Sequence, residues 1–287
     1  MYFMYIKNVI LLRSRELTFC GVIVKSIISH SSKIMGFKLA RHLKEIISFL
    51  SKYTPCDVSD ALVEHKIANG GYIPNLTQRS PIIDSSTQSA VGPAYTVLFA
   101  PNSDPRPPVK QSYIDELPEN SILVIGLPLE CQTHYAPWTN VNNALYGGLM
   151  STRANYVGAN GSVILGRIRD LDEHLGLKYP VWSYGVGSTA SGPVAKVVGI
   201  NVPLEVKTAG FPEEEVIHIN PGDYIVADKN GVVRLPVEGH SGREGELDLD
   251  AVLDYIPKRV NADSRVSEDI KNGKLAKESQ KYWRSKI

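Results

Sequence analysis

The chain is poor in the residues that staple or metallate small folds. Its 287 residues hold three cysteines, Cys20, Cys56 and Cys131, widely spaced and without a C-x-x-C pair. That excludes a disulfide framework and a thiolate zinc site and fits reduced intracellular thiols. The seven histidines form no H-x-x-x-H or H-E-x-x-H pair, so any metal would have to accept oxygen ligands. Charge of neither sign is in excess, with 31 Lys and Arg against 30 Asp and Glu. Without a net field to gather a polyanion, neither nucleic acid nor an acidic membrane surface is an expected partner. The most hydrophobic stretch is no membrane span, because Arg13, Arg15, Glu16 and Lys25 interrupt it.

What is there suffices for a large core: 43% of the residues are hydrophobic, which supports one large domain, or one domain with a terminal attachment. Residues 1–35 are apolar and basic, with Glu16 their only acid. They read either as a mitochondrial-type presequence or as an upstream extension before a start at Met35. The cytoplasm is the expected compartment, or the mitochondrion if the presequence is real.

From Phe37 to Tyr53, Leu39, Leu43, Ile46, Ile47 and Leu50 recur at helical spacing. Pro55 breaks that helix, and Asp57 or Ser59 is placed to cap a second one. "GGYIPNLTQRSPIIDSSTQSA" is turn-rich and reads as irregular. "GPAYTVLFAP" (92–101) and "SILVIGLP" (121–128) read as strands, with "VKQSYIDEL" helical between them. A helix over "NVNNALYGGLMSTRANYVGA" leads into the strand "GSVILGR". Helices alternating with apolar strands argue for an α/β domain whose sheet is covered by helices. Beyond residue 190, Pro-Gly-Asp and Lys-Asn-Gly turns separate antiparallel strands, so the sheet is mixed. From Leu247 the chain turns helical and charged.

The chemistry concentrates in "YGGLMSTRANYVGANGSVILGRIRDL", residues 146–171. Its strand delivers Arg169 and Asp170 to a C-terminal end, the edge where α/β sheets bind ligands. Arg169 offers a planar fork for a carboxylate. Asp170 offers hard oxygen to Mg²⁺ or Mn²⁺. The same pair also fits an ordinary surface ion pair. Gly147 and Gly148 fit close helix packing, or exposed amides at a helix start that can bind an anion. "YGGLMS" lacks the spacings of the nucleotide-binding loops. His134 sits in a long loop and could line a cavity or be merely exposed. Asp172, Glu173 and His174 read as first-turn helix residues, and Asp228 as a hairpin-turn residue.

The blocks "GPAYTV", "ILVIGLP", "ALYGGLMSTRANYVGANGSVILGRIRD", "YPVWSYGVGST" and "NPGDYIVADKNGVVRLP" resemble the RraA-like family. That family includes the class II pyruvate aldolases known as 4-hydroxy-4-methyl-2-oxoglutarate aldolases, and "YGGLM" and "GRIRDL" are similar to its fungal-type members. The resemblance runs from about Gly92 to Pro236, within a domain spanning 36–246 that precedes a helical extension at 247–287. It implies an α/β, mixed-sheet domain of the swivelling type with flanking N- and C-terminal helices. It also implies a divalent-metal-dependent carbon-carbon lyase acting on a small 2-oxo acid, assembled as a homotrimer or hexamer.

Residue by residue, the resemblance implies that Arg169 holds the pyruvyl carboxylate and stabilises enolate charge, while Asp170 binds Mg²⁺ or Mn²⁺. The amides of Gly148, Leu149 and Met150 would bind the substrate carboxylate. The aldolases commonly carry Asp or Glu where this chain has Gly148, with twenty residues between it and Arg169. Aldol cleavage, which needs a base, is therefore expected to suffer more than oxaloacetate decarboxylation, which does not. In some members a neighbouring subunit lends a carboxylate, for which Asp263 and Glu268 are candidates here; both also fit solvated helix charges. The family's bacterial regulators, which bind ribonuclease E, imply a rival reading as a non-catalytic binding module.

Overall fold

A computed structural model describes residues 42–81, 88–208, 215–237 and 247–287 of the chain. The readings of residues 1–35 lie outside the described residues. The chain divides into two compact units, Met1–Ile46 and Ile47–Ile287, and the site belongs wholly to the second.

In chain order the described strands of that unit are β1 (Tyr72–Ile73), β2 (Thr77–Ser80), β3 (Ala90–Pro101), β4 (Ile122–Gly126), β5 (Ala144–Tyr146) and β6 (Gly161–Ile168). They continue with β7 (Val181–Val186), β8 (Ala195–Ile200), β9 (Leu204–Thr208), β10 (Glu215–Ile219), β11 (Tyr224–Asp228) and β12 (Gly231–Leu235). The helices are α1 (Pro55–Glu64), α2 (Gly148–Tyr156), α3 (Leu171–Leu177), α4 (Leu249–Lys271) and α5 (Ala276–Arg284).

The main sheet runs β1-β12-β11-β3-β4-β6-β7-β2, with β5 added to β6 and β8 to β3. Its centre is parallel, pairing β3 with β4, β4 with β6 and β6 with β7. The flanks are antiparallel, so the sheet is mixed as the turn chemistry predicts. Parallel strands must be buried on both faces, which is why "ILVIG" and "GSVILGRI" are nearly continuous apolar runs. Along β4, Leu123 and Ile125 enter one core with Ile164 and Ile168 of β6. Ile122 and Val124 enter the other with Val163 and Leu165. Ala154 and Met150 of α2 cover the first face. Leu204, Val206 and Ile219 of the β9–β10 ribbon cover the second.

Four local expectations need correction. The helix expected over "VKQSYIDEL" is a series of turns and bends. The Val109 amide is drawn to the Val197 carbonyl at 2.9 Å, and Asp115 and Glu116 close only one turn onto Ser112. The cap of α1 is Thr54, whose hydroxyl accepts the Asp57 amide while the Asp57 carboxylate accepts the Thr54 amide. Asp57 is thus the reciprocal partner in a capping box, three residues inside the helix. The turn-rich segment contains the short edge strands β1 and β2, each recruited by a distant partner, β12 and β7. Finally, the helix expected from Asn140 begins only at Gly148, because residues 144–146 form β5 on the flank of β6.

Candidate active site

The strand β5 brings the two halves of the motif together. Ala144 pairs with Arg167 and Tyr146 with Ile168, and the Arg169 amide donates to the Tyr146 carbonyl at 3.1 Å. The ends of β5 and β6 therefore stop side by side. From there β5 runs through Gly147 into α2, and β6 runs through Arg169 and Asp170 into α3.

Asp170 occupies the N-cap position of α3 but does not cap it. Its backbone is left-handed (φ 61°, ψ 49°), and its side chain makes no capping bond to its own helix. A non-glycine residue held there is strained, and such strain persists where the surroundings over-determine it. Here the carboxylate is turned across to the neighbouring helix. Asp170 Oδ2 accepts the Gly148 amide at 3.1 Å and lies 3.3 Å from Arg169 Nε. Both side chains are partly open to solvent, at 40% and 33% exposure. An exposed pair of this kind contributes about 0–1 kcal/mol at most, so stability alone gives little reason for it.

The glycines answer to space. Gly147 has extended backbone that any residue could adopt (φ −150°). A Cβ on it would lie 2.8 Å from Asp170 Oδ2 and 3.2 Å from Arg169 Cγ and Nε. A Cβ on Gly148 would lie 2.7 Å from Glu173 Cβ and 2.5 Å from Glu173 Cδ, and would collide with Oε2. The double glycine lets the starts of two helices and their carboxylates approach.

Of the three amides singled out from the sequence, two are committed. Gly148 donates to Asp170, and Met150 donates to the Gly147 carbonyl at 3.0 Å. The Leu149 amide has no acceptor among the described residues. Leu149 lines a cavity of about 390 Å³ together with Gly147, Arg169 and Asp170 and the apolar Phe99, Tyr113, Leu145 and Val197. That volume suits a small organic ligand. Lys196 also reaches this cavity; its ammonium donates to the carbonyls of Asp104 at 2.7 Å and Asn102 at 3.3 Å.

Behind the site lies a buried polar network that the sequence does not announce. His174, expected as an ordinary first-turn residue, is fully buried. Its Nε2 lies 2.7 Å from the Arg169 carbonyl, and its Nδ1 lies 2.8 Å from Ser151 Oγ. A carbonyl can only accept, so Nε2 carries the proton. The ring stacks on Tyr146, whose hydroxyl lies 3.0 Å from Ser151 Oγ and 3.1 Å from Ser162 Oγ. Ser162 in turn meets the Tyr179 hydroxyl at 3.0 Å. Burial lowers the His174 pKa below its ordinary value, so its neutral form is favoured. Burial likewise pushes Tyr146 up to about 12 and Tyr179 well above its usual range. The network is neutral and holds the carbonyl of Arg169 in place. Its members come from positions 146, 151, 162, 174 and 179, and no periodic pattern connects them.

Other candidates fall elsewhere. Asp228 ends β11 and accepts the Asn230 amide at 2.6 Å within its hairpin turn. Asp263 is clamped in the C-terminal helices, 2.8 Å from both Arg259 Nε and Arg284 Nε. Glu268 is exposed and meets Arg265 at 3.5 Å. His134 lies in the loop between β4 and β5 and is not among the cavity-lining residues. No helix of the described residues is long and apolar enough to cross a membrane.

Comparison with known proteins agrees with this architecture. A 30% identical relative from Halalkalibacterium halodurans, over 66% of this chain and 77% of its own length, is named "Putative 4-hydroxy-4-methyl-2-oxoglutarate aldolase". Protein DlpA of Legionella pneumophila is 25% identical over 68% of this chain, and the chain spans only 28% of that longer protein. Among solved structures, an uncharacterized protein from Pseudomonas syringae superposes with a TM-score of 0.61 at 23% identity, covering 83% of this chain and 97% of its own. Streptomyces coelicolor RraAS2, described as an unusual member of the RNase ES inhibitor RraA protein family, gives a TM-score of 0.54 at 19% identity, covering 80% and 96%. Those two likenesses show the fold. Residues 55–234 match the RraA-like family described as Aldolase/RraA, and the chain belongs to that family.

Proposed function

We propose that the protein is a divalent-metal-dependent lyase that cleaves a small 2-oxo acid through a pyruvate enolate. The observation that carries the reading is the meeting of Arg169, Asp170 and Leu149, whose amide has no acceptor among the described residues, in the lining of one cavity. A guanidinium fork and a backbone donor suit a carboxylate. A carboxylate beside them suits a hard cation.

The donor set fits such a cation. Asp170 Oδ2 is engaged by Gly148 and Arg169, while Oδ1 has no partner among the described residues. No group of three or more His, Cys, Asp or Glu side chains converges there among the described residues. That suits Mg²⁺, which keeps several waters and takes one or two carboxylates, and not structural zinc. Bound by Asp170, the ion would serve as a Lewis acid toward the keto oxygen.

The chain's own groups do the rest. Arg169 and the Leu149 amide would grip the 2-oxo carboxylate, and Arg169 would face the negative charge that develops on the C2 oxygen as the C3–C4 bond breaks. His174 steadies that arginine through its carbonyl. If C4 bears a hydroxyl, cleavage is a retro-aldol step; if C4 is itself the carboxylate carbon, as in oxaloacetate, the same enolate forms by loss of CO₂. The family resemblance further suggests a homotrimer or hexamer, and a cytoplasmic or mitochondrial compartment.

The test is a coupled assay for pyruvate with 4-hydroxy-4-methyl-2-oxoglutarate and oxaloacetate, with Mg²⁺ and with EDTA. Metal-dependent release from at least one substrate is expected. Release from neither substrate refutes the proposal.

A further inference from the structure

Retro-aldol cleavage requires an acceptor for the C4 hydroxyl proton, and the cavity wall is short of one. Among the described residues Asp170 is the only carboxylate in the lining; its Oδ2 is engaged by the Gly148 amide and Arg169, and on the lyase reading its other oxygen would hold the cation. Lys196 is a cation held by two carbonyls. His174 has both ring nitrogens committed in the buried network. One carboxylate remains close by. Glu173 rises from the first turn of α3 and lies against the Cα of Gly148, so close that any side chain at 148 would overlap it. Gly147 and Leu149, on either side of that glycine, both line the cavity. Glu173 is itself exposed, and its carboxylate makes no hydrogen bond or ion pair among the described residues.

We infer that Glu173, standing over the bare Cα of Gly148, is the carboxylate that accepts the C4 hydroxyl proton through one water, a role that rests on the lyase reading above. The hydroxyl O–H breaks and its proton passes by way of the water to Glu173. A C4 carbonyl forms as the C3–C4 bond breaks, and the bond pair becomes the C2–C3 double bond of the pyruvate enolate. The proton then returns to C3 and gives pyruvate. Glycine at 148 is on this account the space through which a carboxylate from the next helix reaches the site. The chain would therefore retain aldol cleavage, contrary to what position 148 by itself suggests.

The experiment relocates the carboxylate. Pyruvate release from 4-hydroxy-4-methyl-2-oxoglutarate and from oxaloacetate is measured with Mg²⁺ for wild type, Glu173→Gln, Glu173→Gly and the double variants Glu173→Gly/Gly148→Asp and Glu173→Gly/Gly148→Asn. In Glu173→Gln the kcat for the aldol substrate should fall by about a hundredfold or more relative to oxaloacetate on the same variant, the usual scale of general-base loss. The Asp-containing double variant should recover at least about tenfold over Glu173→Gly, and the Asn control should not. Thermal melting supplies a readout independent of activity: Gly148→Asp alone should melt below wild type, and removing the Glu173 side chain should restore it. Equal losses on both substrates, no loss, or rescue by Asn as good as by Asp would overturn the assignment. So would an unaltered melt for Gly148→Asp. Wild type that releases pyruvate from neither substrate defeats the lyase reading itself, whereas active wild type with an unaffected Glu173→Gln defeats only the role of Glu173.

Discussion

Asp170 caps a helix that is not its own: its Oδ2 lies 3.1 Å from the first amide of α2, while α3, which it precedes, receives no capping bond from it. The left-handed backbone at Asp170 turns the carboxylate across the gap between two helix starts and leaves Oδ1 without a partner among the described residues. Several measurements bear on what that arrangement does.

Asp170→Ala should remove Mg²⁺-dependent pyruvate release and leave the fold intact. Loss of one preorganised charge-stabilising group usually raises a barrier by about 2.7–4 kcal/mol, a drop of about 10²–10³ in kcat. The exposed Arg169 pair contributes little to stability, so the melting temperature should move by no more than a few degrees. Steady-state rates and a thermal melt check both halves.

Gly147→Ala tests the close approach. Its Cβ would lie 2.8 Å from Asp170 Oδ2 and 3.2 Å from Arg169 Nε, so it should displace both and lower activity at least about tenfold. Gly176→Ala is the control, because nothing lies within 4 Å of its Cβ position. Within α3 that change should stabilise by up to about 1 kcal/mol. Comparable activity in the two variants would show that the space at Gly147 is not used.

His174 sets a pH dependence of stability. Its pKa is lowered in the folded protein, chiefly by burial, so on acidification the unfolded chain takes up the proton first. The stabilisation is fully present above about pH 6.5, the ordinary value for histidine, and is lost as pH falls from there through the folded pKa. Urea titrations of wild type and His174→Gln should diverge above pH 6.5 and converge below it. Parallel curves would place the acid sensitivity elsewhere.

The Asp223–Arg234 pair should matter most for stability. It joins the β11–β12 hairpin at 2.9 Å with both side chains buried, and Asp223 also accepts the Asn220 amide at 2.8 Å. Asp223→Ala removes one partner of this buried pair together with the acceptor of the Asn220 amide, and should cost about 3–5 kcal/mol. Equilibrium unfolding by denaturant reads this directly, and a loss below about 1 kcal/mol would contradict it.

Sequence alone determined the sheet's centre and the position of the motif. Two-sided burial forces strands such as "ILVIG" to be apolar throughout, and Pro-Gly-Asp and Lys-Asn-Gly turns demand special backbone, so both leave a local imprint. Arg169 and Asp170 were legible as a pair at a strand end for the same reason. Tertiary structure decided what the pair faces. The capping of α2 by Asp170, which commits the Gly148 amide, the reach of Glu173 over Gly148, and the buried chain of Tyr146, Ser151, Ser162, His174 and Tyr179 all join residues far apart in sequence. Each depends on β5 aligning with β6, and a three-residue strand recruited by its neighbour carries no periodicity of its own. Short-range patterns record burial and backbone conformation, whereas proximity between the ends of different elements is a property of their packing.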